Sequence, residues 1–173
     1  MFPAPVRWSI VAVLVVVGVW DLLTPSWSAV LPLAAATIMA LGHWRYSTVW
    51  FAWRAFRRDD FDKVQELLAR VPSYSHLTPQ CRSTYDWMMG AVMLHQGSLA
   101  QARHYLERAV AGNVRTANNR SIIHLLLSRT ALQQGNLELA SEHLAAAAKL
   151  PHRAPVDDVI EGMAAAIDSV RPN

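Results

Sequence analysis

Apolar and polar positions follow two different regimes along this chain. Val6 to Leu23 reads VRWSIVAVLVVVGVWDLL and Trp27 to Trp44 reads WSAVLPLAAATIMALGHW. Both stretches are apolar on every side. Beyond them, apolar residues recur at i, i+3, i+4 and i+7, as in FDKVQELLARV, LAQARHYLERAV and LELASEHLAAAAKL. That spacing is the period of an amphipathic helix with one buried face. The first regime predicts two helices of about 18 residues, roughly 27 Å long, close to the hydrocarbon thickness of a bilayer. Thr24-Pro25-Ser26 reads as the turn between them, with Ser26 or Ser28 as a cap. Trp8, Trp20, Trp27 and Trp44 fall near the four helix ends, where aromatic belts lie. The pattern predicts an all-α chain with a transmembrane helical hairpin in residues 1–44 (spans about 6–23 and 27–44). A helical domain follows in residues 45–173.

Composition sharpens this division. Hydrophobic residues make up 53% of the 173 and charged residues 17%, against about 25% charged in an average domain. Such a chain is too apolar to be disordered. Arg7 and Asp21 are the charged residues of segment 1–44, and all others lie beyond it. Arg7 precedes the first span; Arg45, Arg54, Arg57 and Arg58 follow the second, while the turn carries Asp21. By the positive-inside rule both termini and the helical domain are expected in the cytoplasm. The expected location is a membrane, multi-pass, of the bacterial inner-membrane type. A net charge of +3 without a block of like charges gives no nucleic-acid footprint. Cys81 is the one cysteine, so no intrachain disulfide forms, and a reducing compartment fits.

The helical domain contains a period. Arg58-Asp59-Asp60-Phe61, Gln96-Gly97-Ser98-Leu99 and Gln134-Gly135-Asn136-Leu137 align, and Asp59, Gly97 and Gly135 are spaced by 38 residues both times. The register continues through Val64, Ala102 and Ala140, then Leu68, Leu106 and Leu144, then Val71, Ala109 and Ala147. Ahead of the turn it holds at Ala52, Gly90 and Ser128. Small residues thus recur where two helices approach and large ones where space must be filled. Each unit reads as two helices joined by a tight turn, in which Gly97 and Gly135 supply positive φ. Asp60, Ser98 and Asn136 are the expected caps of the second helices. One pair cannot cover its own apolar face; three stacked pairs make a continuous core. Pro155–Val170 reads as a further amphipathic helix with Asp157 and Asp158 in its first turn, capping the stack over residues 155–170.

This pattern resembles the tetratricopeptide repeat (TPR). The resemblance rests on Gly90, Gly97, Leu99, Ala102 and Ala109 in the middle unit. In the third it rests on Ser128, Gly135, Leu137, Ala140, Ala147 and Pro151. The first unit departs from it at Asp59, Phe61, Val64 and Val71, and the period exceeds the family's usual length of about 34 residues. The excess is expected in the loops Pro72–Pro79 and Gly112–Asn119. The resemblance implies a TPR-like α-solenoid of about three helix pairs. It also implies that the first helices line a concave groove. Groove positions would be Tyr46, Val49, Trp53 and Arg57; then Thr84, Trp87, Ala91, Leu94 and His95; then Ile122, Leu125, Arg129, Leu132 and Gln133. Trp53, Arg57, Trp87, His95, Arg129 and Gln133 are the candidate partner contacts. The competing reading has Trp87 and Leu125 packed against the next unit. The stripe YSTVWFAWRAFRR at Tyr46–Arg58 likewise reads as a packed face, a bilayer-surface element or a docking strip.

Seven histidines are scattered without a metal-ligand spacing, and no phosphate loop, nucleotide fingerprint or nucleophile elbow occurs. No catalytic, cofactor-binding or metal residue is expected, and no enzyme. The expectation is a membrane-anchored scaffold or adaptor. It would hold a protein partner at the cytoplasmic face, contact the bilayer through residues 6–44, and stay open to homo-oligomers through the ends of the stack. The alternative is a small accessory or assembly subunit of a multi-subunit membrane enzyme or transport complex, bound mainly through its hairpin. The small residues Ala34, Ala35, Ala36, Ala40 and Gly42 suit that alternative.

Overall fold

The structure, a computed structural model, describes residues 48–71 and 73–170, together with Ala12, Val13, Val15, Val16, Val19 and 34–37. The chain divides into two units, Met1–Ser47 and Thr48–Asn173. In the first unit the described positions are helical. The predicted spans 6–23 and 27–44, and the junction at Gly42, lie for the most part outside the described residues. Among the described residues no helix is long and apolar enough to cross a membrane. The multi-pass membrane location, with its cytoplasmic orientation, is therefore corrected. An apolar run spans a bilayer only as an unbroken helix of about 20 residues. Composition alone does not supply that continuity.

In the second unit every described regular element is helical. Helical turns over 48–56 form α1. They are followed by α2 (Phe61–Ala69), a 3₁₀ turn (Tyr74–His76), α3 (Pro79–His95), α4 (Leu99–Ala111), α5 (Ala117–Gln133), α6 (Leu137–Lys149) and α7 (Ala154–Val170). The tight partners are α3 with α4 and α5 with α6; α2 lies on α3, α4 on α5, and α7 on both α5 and α6. Val49 and Ala52 of α1 share a core with Val64 and Leu68 of α2. The result is three successive helix pairs and a covering helix.

The repeated offsets account for this packing. Val64, Ala102 and Ala140 are all fully buried, as are Ala109 and Ala147. A Cβ added at Gly90 would stand 2.6 Å from Leu106 Cγ, so α3 and α4 meet there without room for a side chain. At the same position of the next pair, the Ser128 hydroxyl donates to the Ala140 carbonyl at 2.7 Å. Ser121 Oγ donates likewise to the Ala147 carbonyl at 3.0 Å. The turns carry left-handed backbone at Asp59 (φ 56), Gly97 (φ 75) and Gly135 (φ 77), the three positions the period singles out. The Asp60 carboxylate accepts from Lys63 N–H and the Asn136 side chain from Leu139 N–H; the Ser98 side chain makes no capping bond.

The third pair is closed by α7. Leu125, Ala147 and Val156 form one small core, with Ile160 packed on it. Ala131, Ala140 and Ile167 form another, with Met163 against it. The first pair has an open side. Trp50 is 50% exposed, whereas Met88 and Val92, at the offsets of Trp50 and Arg54 in the next pair, are fully buried.

Candidate functional site

The structure separates the six candidate contacts into two groups. Trp53 and Trp87 belong to the core. Their rings lie 5.0 Å apart, and Phe56, also on α1, touches both, at 5.5 Å from Trp53 and 5.6 Å from Trp87. Trp87 is 4% exposed and packs with Leu106, Ile123 and Leu127. Its indole N–H is buried without a partner. A ligand reaches Trp87 only by opening the interface between the pairs. Leu125 is buried against α7 in the same manner. Ala91 and Leu94 are buried too, so the middle of the expected groove is filled.

Arg57, His95, Gln133 and Arg129 form the second group, and all four are exposed. The first three share one repeat offset. Arg57 follows α1, His95 ends α3 and Gln133 ends α5, each just ahead of a left-handed turn residue. Successive pairs stack, α2 on α3 and α4 on α5, so these residues recur at the turn end of each pair, along the turn edge. The His95 ring stacks on Phe61 at 4.6 Å, which fixes it against the start of α2. Gln96 Nε2 donates to Gln65 Oε1 at 2.7 Å on the same edge. Arg129 lies one helical turn before Gln133.

Two polar clusters were missing from the expectations. The Asp86 carboxylate is 1% exposed. Tyr74 Oη donates to its Oδ2 at 2.6 Å, and the Arg108 guanidinium lies 3.2 Å from Oδ1 and 4.6 Å from the Tyr74 ring. Burial raises the Asp86 pKa, against the Tyr74 bond and the Arg108 charge. This cluster ties the 3₁₀ turn to α3 and α4. In the third pair, His124 and His143 approach with Nδ1–Nδ1 3.3 Å. Burial lowers both pKa values; next in order, the His143 charge acts on His124, while Glu142 and Glu107 oppose the shift at His143. Asp86 and His124 are 38 residues apart, whereas Tyr74, Arg108 and His143 share no offset. Aligning the polar positions as well as the apolar ones picks out Asp86 and His124, one member of each cluster. Among the described residues no group of three or more His, Cys, Asp or Glu side chains is placed to hold a metal ion.

No family model, curated protein or solved structure matches this chain.

Proposed function

We propose that this chain is a tetratricopeptide-like helical-repeat adaptor that holds a protein partner on the turn edge of its stack. One observation carries the reading: three successive helix pairs set side by side present an exposed polar residue at the same offset, Arg57, His95 and Gln133. A stack of pairs yields an extended, ordered surface rather than a closed pocket. Extended surfaces suit chain-like ligands, whose contacts recur at the repeat spacing. Trp53 and Trp87 belong to the scaffold in this reading, and the binding residues are Arg57, His95, Arg129 and Gln133.

The test is affinity capture with the full chain and with the Arg57→Ala/His95→Ala/Gln133→Ala variant. All three positions are exposed, so the helical circular dichroism should be unchanged. A stoichiometric protein partner should be retained by the parent chain and lost, at least about tenfold, by the variant. Equal retention by a folded variant would refute the turn edge as the binding surface.

A further inference from the structure

The third helix pair holds two imidazoles edge to edge. His124 stands on α5 and His143 on α6, each midway along its helix and half-buried. Their ring centroids lie 5.5 Å apart and their Nδ1 atoms 3.3 Å, so each ring turns its Nδ1 edge toward the other. A hydrogen bond from a nitrogen donor usually spans about 2.7–3.2 Å. The separation between these rings lies just beyond that range. It matches the bite of two nitrogens on one tetrahedral ion, since bonds of about 2.0–2.1 Å place such ligands about 3.3–3.4 Å apart.

The protonation state favours ligation. An imidazole coordinates only in its neutral form, and burial holds the pKa of both rings down. The charges nearby are mixed. Glu142, next to His143, and Glu107 on α4 favour positive charge at His143, where Arg103 of α4 disfavours it; Arg120, one turn before His124, disfavours it there. Arg103 is itself bonded to Glu107 at 2.7 Å. With carboxylates and guanidinium groups set against each other, ligand type decides which ion fits. Imidazole nitrogen suits Zn²⁺, Cu²⁺ and Ni²⁺, whereas Mg²⁺ and Ca²⁺ take oxygen ligands. Two protein ligands leave positions for water, which reaches half-buried rings.

We propose that His124 and His143 form a binding site for a divalent late transition-metal ion, held through both Nδ1 atoms with water in the remaining positions. A bound ion joins the middle of α5 to the middle of α6 and so braces the third pair. The site goes beyond the adaptor reading and is independent of it, since Arg57, His95 and Gln133 of the turn edge take no part.

The probe is Zn²⁺, titrated into the full chain in competition with a chromophoric chelator slightly above neutral pH, with Mg²⁺ as the control ion. Zn²⁺ should be drawn from the chelator and should raise the denaturation midpoint; Mg²⁺ should do neither. His124→Gln and His143→Gln should each weaken Zn²⁺ binding at least about tenfold. His95→Gln and His104→Gln, both at exposed positions, should change it less than about twofold. X-ray absorption at the zinc edge of the loaded parent chain gives a readout that no variant's folding can disturb. It should show two imidazole nitrogens at about 2.0–2.1 Å and oxygen in the rest of the shell. The proposal is overturned if the chain takes no Zn²⁺ from the chelator, if Mg²⁺ binds as well, if the absorption spectrum lacks the imidazole pair, or if His95→Gln or His104→Gln is as damaging as His143→Gln.

Discussion

The second and third helix pairs share their offsets and close their crossings with different side chains. In the second pair, α3 meets α4 through Gly90, whose missing side chain lets Leu106 fill the crossing. In the third, Ser128 occupies that offset and its hydroxyl bonds the Ala140 carbonyl at 2.7 Å. The polar offset midway along the first helix differs as well: Asp86 with Tyr74 and Arg108 in one pair, His124 with His143 in the other. The second pair relies on apolar filling around one buried carboxylate. The third relies on hydroxyl–carbonyl bonds, a histidine pair and the cover of α7. The repeat thus specifies spacing and leaves the means of closure free.

The largest expected consequence concerns the filling residues. Leu106 is fully buried and Leu144, at the same offset, is half-buried. Leu106→Ala should cost about 2–5 kcal/mol, and Leu144→Ala distinctly less, by chemical denaturation. An equal or larger loss at Leu144 would break the contrast. Tyr74→Phe comes next. It strips the 2.6 Å donor from a buried carboxylate and should cost about 1–3 kcal/mol; no loss would mean that Arg108 alone satisfies Asp86.

The turns should behave alike in both pairs. Added side chains at Gly97 and Gly135 meet open space, so Gly97→Ala and Gly135→Ala carry only the left-handed backbone cost, about 1–2 kcal/mol each. A marked inequality would mean the two turns are not equivalent.

The smallest effect is one of pH. The folded pKa values of His124 and His143 are lowered, chiefly by burial. The unfolded chain then takes up more protons as pH drops through about 6.5. Stability should fall from there downward and level off only below the folded values. His124→Gln and His143→Gln should each flatten that slope. His152 has the opposite sign. Its bond to Asp157 raises its pKa, so its contribution is present in acid and lost as pH rises through the folded value. His152→Ala should therefore steepen the acid loss. Matching acid slopes in all three variants would contradict this assignment.

Much of the helix-pair geometry was legible because spacing is what the sequence encodes most redundantly. Val64, Ala102 and Ala140 recur at one offset, and a close helix crossing tolerates little else there. The turn positions were legible for the same reason, down to Asp59 in the left-handed region. The status of the large aromatics was not. A tryptophan at a groove offset reads equally as an anchor for a ligand or as filling between pairs, and Trp87 is filling. Ser98 shows a similar limit: residue type allowed a cap, but its side chain makes no such bond. The two polar clusters were hidden because their members are remote in sequence and, apart from Asp86 and His124, share no repeat offset. The multi-pass placement rested on the apolarity and length of 6–23 and 27–44, and among the described residues no helix is long and apolar enough to cross a membrane.

The central claim is that a protein partner lies on the turn edge of the stack. Site-specific photo-crosslinking tests it directly, with benzoylphenylalanine placed at His95 on the edge and, separately, at Arg103 on the face of α4. The account predicts that His95 crosslinks to one protein partner and that Arg103 gives no product. A partner captured from Arg103 and not from His95 would contradict it.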